Sequence, residues 1–230
     1  MFKEIHFPTI DSTHLYAISH ESTYRGSFVF ITAGHQTTGI GRKSDPWRSN
    51  GENLLASFVF PLPEKNHPNL AQLLCYSAIK VLEKWALEPC FKWPNDILVS
   101  HKKIGGVMGE IKETSAIVSI GLNVNMEKKD LDTIDIPATS LLEELRHSVS
   151  LKTLKHDLAT QFFTDLTLFQ KDGFTPFFSA FAAKLAFKGK LAKAGPHQGK
   201  IEGLHTDGRL ILTANQKQTF LSDNSIEIIE

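Results

Sequence analysis

Three short clusters hold side chains that can do chemistry on anions. Lys92-Trp93-Pro94-Asn95-Asp96 and Lys102-Lys103-Ile104-Gly105-Gly106 place lysines, a carboxamide and a carboxylate at the ends of short apolar runs. A fold can converge such residues on one pocket, and they suit phosphates and a carboxylate. Upstream, Gln36-Thr37-Thr38-Gly39-Ile40-Gly41-Arg42 adds glycines that let backbone approach a ligand and an arginine that can clamp an anion. Together the clusters suggest adenylate chemistry.

Two nucleotide motifs fail on inspection. Gly34 and Gly39 have P-loop spacing, but Ile40-Gly41 stands where a lysine and a hydroxyl are required. Gly39-x-Gly41-x-x-Ser44 starts like a dinucleotide fingerprint, lacks its third glycine and opens no clear helix.

The elements that must position these residues are mostly strands. Asp11-Ser12-Thr13 offers cap chemistry for a helix beginning before Leu15. Phe28 to Ile31 reads as a central strand feeding the glycine segment, and Leu54 to Phe60 as the next, ended by Pro61 and Pro63. Apolar residues from Leu70 to Trp85 recur at helical intervals. Ile97 to Val99 and Ile104 to Ile111 flank a polar turn, and Ala116 to Val124 is a buried strand in which Gly121 allows close approach of a neighbour. Leu154, Leu158, Phe162, Leu166 and Phe169 mark a helix ended by Gly173, and another follows to Leu185. From about residue 188 the pattern becomes β, with Asp207-Gly208 expected to supply the positive-φ residues of a hairpin.

With 25 basic residues balancing 25 acidic ones, charge alone attracts neither DNA nor an anionic membrane. Cys75 and Cys90 lie far from metal-ligand spacings and read as inert thiols. No leader pattern or membrane-length apolar run is present in the sequence, so a cytoplasmic enzyme is expected.

Taken in order, Asp11-Ser12-Thr13, Gln36 to Arg42 with Trp47 beyond, Lys92 to Asp96, Lys103 to Gly106 and Ile120 to Asn125 resemble the biotin protein ligases over nearly the whole chain. The resemblance implies an α+β fold. A mixed β-sheet flanked by helices, like that of class II aminoacyl-tRNA synthetases, would occupy residues 1–187, with a small SH3-like β-barrel at 188–230. It implies ATP-dependent activation of biotin to biotinyl-5′-AMP and transfer to a lysine of the biotin carboxyl carrier protein of acetyl-CoA carboxylase. ATP and Mg²⁺ would be required, biotin being the substrate.

By the same resemblance, Ser12, Thr13, His14, Gln36, Gly39, Gly41, Arg42, Lys103 and Gly106 bind biotin. Arg42, Trp47, Lys92, Asn95, Asp96 and Asn123 bind the nucleotide, with Trp47 stacking on adenine and Asp96 reaching the metal. Lys103, Lys92, Arg42 and Asp96 carry the chemistry. Ser12 and Thr13 could equally serve as helix caps, and Lys102-Lys103 as a solvated turn. Ile40, Ser44, Asp45 and His14 depart from the family pattern, which bears on the ATP contacts and on retention of the intermediate. The long glycine loop is expected to order around ligand. Only ten residues precede Asp11, too few for a winged helix-turn-helix, so no DNA partner is expected, and the protein is read as a monomer or homodimer. A lipoate or octanoyl transferase of the same superfamily and a non-catalytic biotin-binding module are the rival readings.

Overall fold

The computed structural model describes residues 2–48, 51–62, 69–222 and 225–229. Pro63, expected to end a strand, and residues 49–50 of the glycine loop lie outside them. The elements run β1 (Lys3–Ile10), α1 (Thr13–Ser19), β2 (Val29–Gln36), β3 (Glu52–Pro61), α2 (Leu70–Glu83), β4 (Cys90–Lys92), β5 (Asp96–Val99), β6 (Lys102–Ile111) and β7 (Ser115–Asn125). There follow α3 (Lys128–Leu131), α4 (Leu141–Leu145), α5 (Leu151–Asp172) and α6 (Thr175–Ala183), then β8 (Leu191–Ala194), β9 (His197–Leu204), β10 (Leu210–Ala214), β11 (Lys217–Leu221) and β12 (Glu227–Ile228).

A seven-stranded mixed sheet of order β1-β2-β3-β7-β6-β5-β4 forms the body. Among its described strands only the β1–β2 pair is parallel, and α1 makes the crossover between them. The expected mixed sheet flanked by helices is therefore present. On one face α2 and α5 bury Phe30, Phe58, Phe60, Leu73, Leu74, Phe162 and Phe169 in one cluster. α5 forms because Leu154, Leu158, Phe162, Leu166 and Phe169 share a stripe, Ser150 caps its start, and Gly173 takes φ 69° at its end. Losing the fully buried Phe162 ring would cost about 3–5 kcal/mol. On the other face α1 packs Ala17 against Val29, Ile31, Val59 and Ile117, leaving the rest of that face open.

The C-terminal strands, where a small SH3-like β-barrel was expected, form a second, five-stranded antiparallel sheet of order β11-β10-β9-β8-β12, with no β11–β12 pairing among the described residues. Its last strand is two residues long and pairs with β8. The β9–β10 connection also differs from the expected tight turn. It spans residues 205–209, and Gly208 alone takes positive φ, 87°, while Asp207 accepts the Arg209 amide at 3.1 Å. The two-residue positive-φ turn lies instead at Asn215-Gln216. β1 has no counterpart in the sequence reading. Its Pro8 argues against a strand, and an edge strand is where proline is tolerated.

No helix among the described residues is long and apolar enough to cross a membrane.

Candidate active site

Register on the open face of the sheet builds the floor of a cleft. Leu55 on β3 pairs with Gly121 on β7, Ser57 pairs with Ser119, and Gly106 and Met108 on β6 lie across from Gly121 and Ser119. Side chains of alternate residues share a face, so these positions surface together. The cleft is open to solvent and encloses about 950 Å³ of space, open solvent included.

The N-terminus of α1 stands at one end. Ser12 is the N-cap, with extended φ and ψ, and its Oγ accepts the Leu15 amide at 3.4 Å. Its own proton therefore remains available to the cleft, so capping and ligand binding are compatible. The Thr13 amide and hydroxyl both donate to Gln36 Oε1, at 2.7 and 3.0 Å. Below them Ser57 donates to Thr13 at 2.9 Å, Ser57 and Ser119 lie 2.7 Å apart, and His14 Nδ1 is 2.8 Å from Ser119. His14 Nε2 lies 3.6 Å from Glu110 Oε2. Burial pushes the His14 pKa down, and the Glu110 carboxylate opposes that shift.

The Lys92 to Asp96 segment joins β4 to β5 and contains a cis Trp93–Pro94 peptide. Asn95 is tied to β6 by Nδ2 to Val107 O at 2.8 Å and by the Val107 amide to Asn95 O at 2.9 Å. Its carboxamide donor thus serves the backbone. Lys103 Nζ sits 2.7 Å from Asp96 Oδ1. Gly106 makes room for that pair, because a Cβ there would meet Lys103 Cε at 3.3 Å and Asp96 Oδ1 at 3.4 Å. Lys92 lines the cleft and makes no ion pair among the described residues.

The glycine loop folds back as the third wall. The Trp47 amide donates to Gly39 O at 2.8 Å and the Gly41 amide to Asp45 O at 2.7 Å. Gly39 is required for this return, since a Cβ would fall 2.7 Å from Trp47 O. Gly41 has φ −108°, open to any residue. The Trp47 indole covers Gly121, where a Cβ would overlap it at 2.3 Å, and Lys103 Nζ is 5.6 Å from the ring centroid. The close approach expected at Gly121 is thus made by Trp47. Arg42 Nη2 reaches Ser225 Oγ at 3.4 Å.

Ser12, Thr13, His14, Gln36, Gly41, Arg42, Trp47, Lys92, Asn95, Asp96, Lys103 and Gly106 all line this cleft, as do Ile40 and Asp45. Gly39 and Asn123 do not. Gly39 lies behind Trp47. Asn123 is buried beyond Gly121, donating to Thr139 O at 2.9 Å with its Oδ1 lacking a partner, so it is not on the wall.

Sequence reasoning missed several contributors. Ser57 and Ser119 are hydroxyls inside otherwise apolar strands, and that incongruity was the available signal. Ser225 and Ile226 line the cleft from the C-terminal sheet. The Gly208 carbonyl accepts from Trp93 Nε1 at 3.0 Å and Gln72 Nε2 at 2.8 Å, latching the β9–β10 tip to the Lys92 to Asp96 segment. No local signal marks these distant contacts.

A metal would find little protein to bind, since no group of three His, Cys, Asp or Glu residues is poised for one among the described residues. Asp96 could offer a single carboxylate oxygen to an ion carried by phosphates.

The model of the biotin/lipoate A/B protein ligase family matches residues 6–125. The bifunctional ligase/repressor BirA of Bacillus subtilis is 28% identical over 200 residues, covering 81% of this chain and 62% of the relative. The chain likewise spans 62% of the BirA of Bacillus spizizenii. The biotin–[acetyl-CoA-carboxylase] ligase of Paracoccus denitrificans is 27% identical over 218 residues, with 88% and 90% of the two chains covered. Among solved structures, a biotin protein ligase from Aquifex aeolicus in complex with biotin and ATP superposes with a TM-score of 0.84 at 25% identity, covering 99% of this chain and 100% of that one.

Proposed function

This chain belongs to the biotin/lipoate A/B protein ligase family, and we propose that it works as an ATP-dependent biotin–protein ligase. In the first step a carboxylate oxygen of biotin attacks the α-phosphorus of ATP and pyrophosphate leaves. In the second, the ε-amine of a carrier lysine attacks the acyl carbon of biotinyl-5′-AMP, loses a proton, and AMP leaves. The acceptor is the biotin carboxyl carrier protein of acetyl-CoA carboxylase, a reading supported by the Paracoccus relative, whose name gives acetyl-CoA carboxylase as the protein acted on.

One observation carries this reading: neutral donors and cations occupy opposite ends of a single cleft. At the α1 end, Ser12 Oγ–H and Gln36 Nε2 are donors for a neutral ureido carbonyl, which must be hydrogen bonded once desolvated. At the other end, Lys103 holds the biotin carboxylate and Lys92 offsets the charge of the phosphates. Two cations relieve the repulsion between two anions brought together, a contribution of about 3 kcal/mol per positioned group. Arg42 covers the adenylate from the loop. Trp47 stands between Gly121 and Lys103, a position that supports a place for its ring on the wall around the reacting carboxylate. Magnesium, brought by ATP, supplies phosphate charge neutralisation and takes at most the Asp96 carboxylate from the protein.

The experiment is incubation with ATP, biotin and a biotinyl carrier domain, read by intact mass. A carrier gaining one biotinyl group supports the proposal. Transfer of lipoate and not biotin would sink it, and biotin binding without transfer would identify a binding module instead.

A further inference from the structure

Ser57 and Ser119 take no part in the two steps above, yet both are buried beneath the donor end of the cleft. With His14, Thr13 and Gln36 they form an unbroken row of hydrogen bonds whose protons can be assigned one at a time. A backbone N–H can only donate, so the Thr13 amide, 2.7 Å away, fixes the carbonyl oxygen of Gln36 and not its nitrogen at that position. That oxygen only accepts, so the Thr13 hydroxyl, at 3.0 Å, commits its single proton there. Ser57 must then donate to Thr13, Ser119 to Ser57, and His14 Nδ1 to Ser119. Each hydroxyl has one proton, so the first bond dictates all the others.

The row consequently runs one way, from His14 to Gln36. Its end point is a cleft-lining carboxamide whose oxygen is held by two donors and whose Nε2, beside Gly39, keeps both its protons unclaimed by the described residues. A flipped amide would set NH₂ against the Thr13 N–H. His14 Nε2 faces Glu110, itself ion-paired with Lys112, which places polar groups at the start of the row as well.

We propose that His14, Ser119 and Ser57 are positioning residues that lock the Gln36 carboxamide with its donor face in the cleft, so that the site selects a head group offering a carbonyl acceptor over one, such as a dithiolane, that offers none. The proposal rests on the biotin reading for its ligand, while the direction of the relay stands on geometry alone.

Two measurements test it. Nitrogen-15 NMR of the wild-type protein at neutral pH is expected to show a proton on His14 Nδ1, whatever Nε2 carries towards Glu110; a bare Nδ1 would overturn the relay. Steady-state adenylate formation by Ser119→Ala is expected to show a biotin KM raised about tenfold, the scale of one buried hydrogen bond, with kcat and the ATP KM within about twofold. Ser119→Thr, which restores a hydroxyl, is expected to recover the biotin KM. A Ser119→Ala variant that loses thermal stability while keeping its biotin KM would show a structural role only and overturn the proposal. Failure of the wild-type protein to activate biotin would overturn the function and the head-group selection together, with the Nδ1 proton still deciding the relay.

Discussion

Lys103→Ala separates what the Lys103–Asp96 pair does for stability from what it does for chemistry. The two side chains lie 2.7 Å apart and retain 23% and 20% of their exposure, between the exposed and the buried limits for ion pairs. Exposed pairs contribute about 0–1 kcal/mol, and breaking a buried one costs about 3–5 kcal/mol because a charge is stranded. Lys103→Ala should therefore lose about 2 kcal/mol, mostly from the unpaired Asp96 carboxylate, and Asp96→Ala a similar amount from the unpaired Lys103. The double variant strands neither charge. Its loss should fall short of the sum of the single losses by about 1–2 kcal/mol, a coupling readily measured by denaturation. Adenylate formation, followed by quenched single turnovers, should not be rescued. The cation facing the carboxylate is still missing, and its removal slows the step by on the order of a hundredfold. Recovery of adenylate formation in the double variant would show that Lys103 acts only through Asp96, and an unaltered rate in Lys103→Ala would refute its assignment outright.

The C-terminal latch gives a second prediction. At Gly208, φ is 87° and a Cβ would sit 2.3 Å from Gln72 Oε1, so Gly208→Ala should lose about 2–4 kcal/mol of stability and shift Trp93 fluorescence. An unchanged unfolding midpoint would contradict it. Arg42→Gly should release biotinyl-5′-AMP about tenfold faster, with Ser225→Ala giving a smaller change in the same direction, because the loop loses an anion clamp and its tie to the C-terminal sheet; equal dissociation rates would argue against the clamp. His14 and His6 both have pKa values lowered from 6.5, chiefly by burial. Below pH 6.5 the unfolded chain then binds protons that the folded chain refuses, so stability is full above that pH and falls as pH drops through the lowered values. Melting temperatures that stay level from neutral pH to below the histidine range would contradict this.

The three clusters were legible because glycine, lysine and carboxylate side chains announce their chemistry locally, and short motifs at strand ends need only a sheet to gather them. Membership of a motif did not guarantee a place on the wall. Gly39 serves the return of the loop onto Trp47, and Asn123 lies under Thr139, because register and packing decide which motif atoms face the cleft. β1 was hidden by Pro8, a residue that excludes a central strand and is tolerated at an edge. The Asp207-Gly208 turn misled because the Asp207 side chain holds the tip through Arg209, leaving Gly208 alone in the left-handed region. Contacts such as Trp93 to Gly208 join residues far apart in sequence, and no local pattern encodes them.

Those distant contacts alter what the C-terminal sheet is for. The Gly208 carbonyl fastens Trp93 within the segment that carries Lys92 and Asp96, and Ser225 meets Arg42 on the loop. Two of the three cleft walls are therefore secured from the C-terminal side, whereas the α1 end and the strand floor are secured by the main sheet itself. The two sheets nevertheless share a core, because Ala192, Ala194, Ile201, Leu204 and Leu210 belong to the same apolar cluster as Phe91 and Phe181. Cutting the chain at residue 188 would expose that shared core and unfold more than the latch. Point changes at Gly208 and Ser225 avoid this, and they reach the walls that carry Lys92, Asp96 and Arg42 while leaving the donors at Ser12 and Gln36 in place. If the C-terminal sheet holds the nucleotide end of the cleft, these changes should weaken ATP binding and adenylate retention far more than biotin binding.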